Sequence, residues 1–243
     1  MRWLRVPARL AAVLWRLGVG YWTIRVRFRA MSPAQRSQEV QRWSRQMLQA
    51  LGISLHLEGE APQQGPLMLV ANHLSWLDIL VVHAARHCRF VSKSEVHHWP
   101  LIGAMAAGGG TLFIERASRR DAMRVVHHMA TALESGDMLA IFPEGTTGNG
   151  SALLPFHANL IQAAISAHAP VMPVGLRYVQ ADGQPSTAAL YIGDDTLVGS
   201  VLRTLSAPAF TARVRFGPAQ TAQGRDRRQW AQDLHAAVEA LCH

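Results

Sequence analysis

Cysteine is scarce in this chain of 243 residues, and its two copies, Cys88 and Cys242, stand far apart. Two thiols are too few for a disulfide framework and lack the paired spacing of a metal site. They read as a small buried hydrophobe and a terminal bystander, which places the chain most simply on a cytosol-facing, reducing side. Acidic residues are missing from the N-terminal stretch: none precedes Glu39, whereas Arg2, Arg5, Arg9, Arg16, Arg25, Arg27 and Arg29 all do. A long uninterrupted apolar run is missing too. Trp3 to Ile24 is rich in apolar and aromatic residues, but Arg5, Arg9 and Arg16 break it into pieces far shorter than the ~20 residues a spanning helix needs. An interfacial helix fits better, with arginine stems snorkelling to the headgroups and Trp and Tyr rings at their level. A secretory signal fits less well, because no small-residue cleavage pattern follows and the basic cluster from Arg25 to Arg29 opposes export. No internal repeat and no low-complexity linker divides the chain.

What is present points to a globular domain that also touches lipid. Apolar residues make up 49% of the chain and charged residues 16%, a balance that excludes disorder. The net charge of +8 and an isoelectric point near 10.9 suggest nucleic acid until the location of the charge is considered. Setting aside the seven N-terminal arginines, +8 becomes +1, so the excess flanks one apolar segment and does not cover a folded surface. Membrane lipid is the partner this predicts, and nucleic acid is not. Residues 1–30 are expected to be a membrane-associated basic and apolar helix, and residues 31–243 the folded domain.

Ser32 and Pro33 have the character of an N-cap and a first helical residue, opening a helix that Gly52 ends. Beyond it, strand-like runs at 53–57, 67–70, 89–92, 111–114, 138–142, 171–178, 188–192 and 212–216 alternate with helical periods. Those begin near Trp76 and cover 120–134, 158–167 and 227–241. The alternation predicts an α/β fold, a mainly parallel sheet flanked by helices.

The strongest chemical signal is Leu67 to Asp78, where an apolar strand runs into Asn72 and His73 before a new helix. His73 and Asp78 are five residues apart. On one continuous helix that offset, about 500°, would point the side chains apart, so their cooperation requires the strand-to-helix turn. Ser75 is a natural N-cap, which puts Asp78 in the first helical turn, where the helix dipole favours its ionised form. An ionised Asp can hold one ring N–H of a histidine and leave the other nitrogen as a general base. Such a pair suits proton abstraction from a hydroxyl that attacks a carbonyl directly, with no enzyme nucleophile. A Ser-His-Asp hydrolase would need a Gly-x-Ser-x-Gly elbow, and the sequence has none.

Three further motifs accompany this pair. In Gly110 to Arg116 a glycine-rich turn leads a short apolar strand ending in Glu-Arg, and an arginine there can grip phosphate or carboxylate with two parallel bonds. In Met138 to Gly145 an apolar strand is stopped by Pro143, and Glu144 is delivered at a loop tip beside N–H groups able to bind an anion or polarise a carbonyl. Val171 to Val174 is an apolar strand containing Pro173.

In this order and spacing the four motifs resemble those of the glycerophospholipid acyltransferase family, marked by H-x4-D, G-x-x-F-x-x-R, F-P-E-G-T and a late apolar-Pro strand. His73 with Asp78 matches the first, Gly110, Phe113 and Arg116 the second, Phe142 to Thr146 the third and Pro173 the fourth. Lys93, Glu95, Pro100 and Gly103 resemble the family's connecting segment, so the likeness spans about Leu67 to Tyr178. It implies an acyltransferase-type domain over 31–243 that moves a fatty acyl group onto the free hydroxyl of a lysolipid, foremost 1-acyl-sn-glycerol-3-phosphate. It makes His73 the base and Asp78 its orienting partner. Substrate binding falls to Lys93, Gly110, Phe113, Arg116, Glu144, Gly145 and Thr146. The implied donor is acyl-carrier protein or acyl-coenzyme A carrying the chain as a thioester, with no cofactor and no metal. The implied location is the inner, cytoplasmic membrane, with the catalytic domain facing the cytosol. A basic patch at Arg116, Arg119, Arg120 and Arg124 would suit an acidic carrier protein as a partner.

The sequence departs from the family at one informative position. Many members acting on lysophosphatidic acid have arginine where this chain has Thr147. The missing charge-assisted contact is worth about 1.5 to 3 kcal/mol, which brings lyso-ornithine lipid and other lysophospholipids forward as alternative acceptors. Two rivals come from other classes. A metal hydrolase would draw on the twelve histidines, yet neither His97-His98 nor His127-His128 has ligand spacing. A non-catalytic lipid-binding module would explain the basic N-terminus but not why His73, Asp78 and Glu144 all follow strands.

Overall fold

The computed structural model describes residues 2–114 and 119–243. Helix α1 is Arg2–Trp22, followed by a π-helical turn at Thr23–Arg27 and a 3-10 turn at Phe28–Ala30. Ser32 then accepts the Gln35 amide while the Gln35 side chain accepts the Ser32 amide. This reciprocal cap, with Pro33 preset for a first turn, opens α2 (Pro33–Leu51), and Gly52 at φ 79° stops it. The domain continues through β1 (Ile53–Glu58), β2 (Leu67–Ala71), α3 (Leu77–Ala85), β3 (Arg89–Lys93), a 3-10 turn Ser94–His98, α4 (Ile102–Gly108) and β4 (Leu112–Ile114). It closes through α5 (Arg119–Glu134), β5 (Met138–Ile141), α6 (Ala158–Ser166), β6 (Val171–Val179), α7 (Leu197–Ser206), β7 (Phe210–Phe216) and α8 (Arg227–Leu241).

The strands form one sheet in the order β1-β7-β6-β2-β5-β3-β4. Strands β2 to β6 run parallel, and the antiparallel junction of β6 with β7 turns β7 and β1 the other way. The expected α/β fold with a mainly parallel, helix-flanked sheet is therefore observed. From β2 the chain moves outward to β3 and β4, returns to fill the gap with β5, then crosses to β6 on the other side. In open α/β sheets ligands usually bind at such a reversal, which here falls at the carboxyl ends of β2 and β5.

All five residues of β2 are buried, and they alternate between two cores. Leu67, Leu69 and Ala71 face the layer of α1, α2, α3 and α7, whereas Met68 and Val70 face α5, α6 and α8. A strand covered on both faces reads as a continuous apolar run, which is why Leu67 to Val70 carried no alternation.

One expectation is corrected, and two helices go beyond the expected elements. The run 188–192 is not a strand. Ala189 is buried and the Tyr191 amide donates to the Leu74 carbonyl, so the segment lies over the end of the sheet and joins no ladder. Gly108 ends α4, a helix the glycine-rich sequence concealed. Ile24 packs 2.5 Å from where a Cβ of Gly108 would sit, so a side chain there would have to displace Ile24. Helix α7, begun by the Thr196 hydroxyl accepting the Gly199 amide, was also not foreseen.

Among the described residues no helix is long and apolar enough to cross a membrane. Helix α1 lies against the domain. Arg9 donates to the Leu205 and Ala207 carbonyls at the end of α7, at 3.0 and 2.7 Å, and Trp43 of α2 donates to the Arg16 carbonyl at 2.8 Å. Its other side is open, with Leu14, Trp15 and Trp22 exposed. On the adjoining helix, Gln41 of α2 donates to the Ala85 carbonyl and Arg45 to the Ala84 carbonyl, capping the C-terminus of α3.

Candidate active site

Where β2 ends, Asn72 clamps the neighbouring strand. Its amide nitrogen donates to the Leu176 carbonyl at 3.0 Å and its oxygen accepts the Leu176 amide at 2.7 Å. The chain then leaves the sheet at His73 and turns into α3, whose first turn carries Asp78. Ser75 caps this turn through Oγ, which accepts the Leu77 amide, although the helix begins at Leu77, slightly later than expected.

The turn brings His73 and Asp78 together. Asp78 Oδ2 accepts from His73 Nδ1 at 2.8 Å and from the amides of Leu74 and Ser75 at 2.6 and 2.9 Å. Its Oδ1 accepts from the Tyr178 hydroxyl at 2.6 Å. Two of these groups are backbone N–H donors, so the carboxylate is the acceptor and the Nδ1 proton points at it. The lone pair therefore lies on Nε2. Asp78 is 0% exposed, while the His73 side chain is 19% exposed. One end of the dyad is sealed and the other is reachable.

The loop after β5 fixes His73 from the opposite side. Phe142 stacks on the imidazole with centroids 4.1 Å apart. Glu144 is buried: its Oε1 accepts the His73 amide at 2.7 Å and its Oε2 accepts the Leu154 amide at 2.9 Å. Burial raises the Glu144 carboxyl above its ordinary range, partly offset by those two amide bonds. The Gly148 amide donates to the His73 carbonyl at 2.8 Å, so this loop satisfies both backbone groups of His73. Gly145, at φ 72°, makes the turn, and its missing side chain leaves room for His157, which would stand 3.0 Å from a Cβ. Gly145 and Thr146 are exposed. The Thr147 hydroxyl donates to the Tyr191 carbonyl.

The structure thus gathers His73, Asp78, Glu144, Gly145 and Thr146 over the ends of β2 and β5. Gly110 and Phe113 sit farther off, at the β4 edge, separated from β2 by β3 and β5. Gly110, at φ 80°, closes the turn after α4 with its carbonyl held by Arg89 Nε at 2.8 Å, and Phe113 meets the His97 ring edge-on at 4.8 Å. Lys93 ends β3 opposite Ile114. Its side chain, those of Arg119 and Arg120, and all of Arg116 lie outside the described residues. Sequence reasoning missed Tyr178 as a site residue, since nothing in a β-strand pattern ties position 178 to position 78. Asn72 and Phe142 stood within quoted motifs, but their clamping and stacking appear only in three dimensions. Among the described residues no group of three or more His, Cys, Asp or Glu is placed to hold a metal ion.

A sealed carboxylate holding one nitrogen of a reachable imidazole is an arrangement able to act as a general base. Comparison with known proteins agrees. A model of the acyltransferase family matches residues 52–177, and the chain belongs to that family. It is an O-acyltransferase.

Among its relatives, lyso-ornithine lipid O-acyltransferase of Pseudomonas aeruginosa is 37% identical over 237 residues, covering 97% of this chain and 91% of that protein. The 1-acyl-sn-glycerol-3-phosphate acyltransferase of Neisseria meningitidis serogroup B is 35% identical over 211 residues, covering 86% and 82%. In fold the chain resembles the crystal structure of the 1-acyl-sn-glycerophosphate (LPA) acyltransferase PlsC from Thermotoga maritima. The TM-score is 0.70 at 18% identity, over 100% of this chain and 96% of that one.

Proposed function

We propose that this protein transfers a fatty acyl group from acyl-carrier protein or acyl-coenzyme A to the free hydroxyl of a lysolipid, foremost 1-acyl-sn-glycerol-3-phosphate, giving phosphatidic acid. The observation that carries the reading is the dyad itself: Nδ1 held by a fully buried Asp78, Nε2 left to meet substrate. His73 Nε2 takes the hydroxyl proton as the acceptor oxygen attacks the thioester carbonyl. The tetrahedral adduct collapses, the carbon–sulfur bond breaks, and the proton on His73 passes to the leaving thiolate. Atoms and charge balance without a covalent acyl-enzyme, a metal or a cofactor. Asp78 stabilises the transient imidazolium, and Glu144, through the His73 amide, keeps the imidazole at the carboxyl end of β2.

A second acceptor, lyso-ornithine lipid, is favoured by a specific feature. Thr147 stands where many family members acting on lysophosphatidic acid carry arginine, and its hydroxyl donates to the Tyr191 carbonyl. The relatives named above carry both specificities in their names.

The acceptor is a membrane lipid, and the open side of α1 suits its surface. Leu14, Trp15 and Trp22 offer apolar and aromatic contact, and the nearby Arg25, Arg27 and Arg29 offer charge to an anionic leaflet. We place the enzyme on the inner, cytoplasmic membrane with its catalytic domain facing the cytosol. The test is to give purified protein each labelled thioester with a panel of lysolipids including lysophosphatidic acid and lyso-ornithine lipid. A labelled diacyl product that disappears with His73→Ala establishes the reaction and names the acceptor; thioester left intact with every acceptor refutes it.

A further inference from the structure

The two oxygens of Asp78 are treated differently. Oδ2 accepts three hydrogen bonds, from His73 Nδ1 and the amides of Leu74 and Ser75. Oδ1 accepts from the Tyr178 hydroxyl at 2.6 Å, and Tyr178 is itself buried. We propose that Tyr178 is a positioning residue of the dyad, whose hydroxyl holds the Asp78 carboxylate in register with His73 and governs how readily the imidazole gives up its proton. The inference rests on the acyl-transfer reading and extends it to a residue outside the four motifs.

The placement of Tyr178 is rigid. Strand β6 continues past the end of β2, and its extension from Gly175 to Val179 is laddered to β7. Asn72 ties the same extension to the catalytic turn through Leu176. The phenol ring is buried and meets Phe210 edge-on at 5.9 Å. Burial foremost, then the neighbouring Asp78, raises the Tyr178 phenol well above its ordinary range, so it remains a donor. Among the described residues, the other titratable groups facing this network are few. Glu144 lies beneath the His73 amide, and Arg177, Glu239, Cys242 and His243 line a cavity of about 160 Å³ shared with Tyr178.

Removing the hydroxyl takes from Oδ1 its hydrogen-bond partner among the described residues. The carboxylate then concentrates its charge on the His73 side and stabilises the imidazolium, which is inactive as a base. The acidic limb of the kcat/KM profile should move upward by about one pH unit in Tyr178→Phe, with activity on that limb about tenfold lower. Acceptor KM should change little, because the phenol lies behind Asp78. A purely structural role would lower Tm and the plateau but leave the limb in place.

The experiment compares pH profiles and Tm of wild type and Tyr178→Phe, and follows the His73 ring by 15N NMR titration, which needs no turnover. An upward shift in both profile and titration supports the proposal; an unmoved His73 titration overturns it. Should Tyr178→Phe fail to fold, replacing Tyr178 with a ring-fluorinated tyrosine keeps the hydroxyl and strengthens it as a donor. The His73 titration must then move downward, and no movement overturns the proposal. Wild-type protein that transfers no acyl group refutes the functional reading alone, since the NMR titration still decides the role of Tyr178.

Discussion

The imidazole of His73 and the ring of Phe142 lie parallel, their centroids 4.1 Å apart and their planes 4° from coincident. A histidine tied only through Nδ1 can still swing about that bond, and the stack removes the swing. Such aromatic pairs contribute about 0.5 to 1.5 kcal/mol beyond their burial. Phe142→Leu keeps an apolar contact but loses the flat support. Its kcat is expected to fall about tenfold, as for modest misalignment of a base, with a smaller change in acceptor KM. Steady-state kinetics with a soluble thioester and dispersed lysolipid reads this. An unchanged kcat would mean that Asp78 alone orients the ring.

His73→Ala and Asp78→Asn should both lower turnover by about 10² to 10⁴, the range for losing a general base, but they should part company in stability. His73 is partly exposed, so its loss costs the fold chiefly the Phe142 stack, about 0.5 to 1.5 kcal/mol. In Asp78→Asn the new side chain would instead aim an amide N–H₂ into the cluster of donors formed by Leu74, Ser75, His73 and Tyr178. One of those buried donors would lose its acceptor, at about 1 to 3 kcal/mol. Thermal denaturation should therefore show a clear drop in Tm for Asp78→Asn and a small one for His73→Ala. Equal drops would count against the crowded-carboxylate picture.

The dyad was legible because His73 and Asp78 are close in sequence and one turn joins them. The fold class was legible because strands buried on both faces, such as Leu67–Ala71 and Met138–Ile141, announce themselves as apolar runs. The same signal misled at 188–192, where burial under the sheet's end, not pairing, accounts for the apolar residues. The turn at Gly109 and Gly110 was legible, but the short helix Ile102–Gly108 before it was not, because its two glycines weaken any helical signal. Glu144 could be read only as a group on a loop, for its two acceptor bonds lead to His73 and Leu154, far apart in the chain. Tyr178 depends on the length of β6 relative to β2, which no local pattern records.

A buried pair of histidines leads to a prediction about stability in acid. His83 and His87 on and just after α3 approach within 3.3 Å through their Nδ1 atoms, and His83 is packed edge-on against Phe90. Burial, and then the neighbouring His87, lowers His83 to about 3; burial, and then Arg86 and Arg89, lowers His87 to about 4. The unfolded chain binds these protons near pH 6.5 and the native state only well below it. Their contribution to stability is thus present above about 6.5 and lost as pH falls toward 4, by up to about 1.4 kcal/mol per pH unit for each histidine. His87→Gln removes one titrating group and leaves an amide able to bond His83. Stability followed by urea denaturation should fall less steeply with acid in this variant than in wild type, while the two remain similar above pH 7. Parallel slopes would show that the pair is not a source of acid sensitivity.

Helix α1 has two sides with different jobs, and substitutions can separate them. Its inner side is part of the fold: Val13 lies in the core, and Arg9 supplies donors to the Leu205 and Ala207 carbonyls that end α7. Arg9→Ala leaves those carbonyls without their protein partner, at about 1 to 2 kcal/mol, and should lower Tm by a few degrees. Its outer side, with Trp15 69% and Leu14 59% exposed, contributes almost nothing to folding. Leu14→Ser with Trp15→Ser should leave Tm unchanged and weaken sedimentation with anionic vesicles severalfold, because two large apolar side chains no longer enter the interface. Activity on lysolipid presented in vesicles should fall in step with binding, while activity on lysolipid dispersed in detergent is retained. Unchanged vesicle binding would remove this face from the membrane contact. Lost activity in both presentations would mean that the outer residues support the catalytic domain itself.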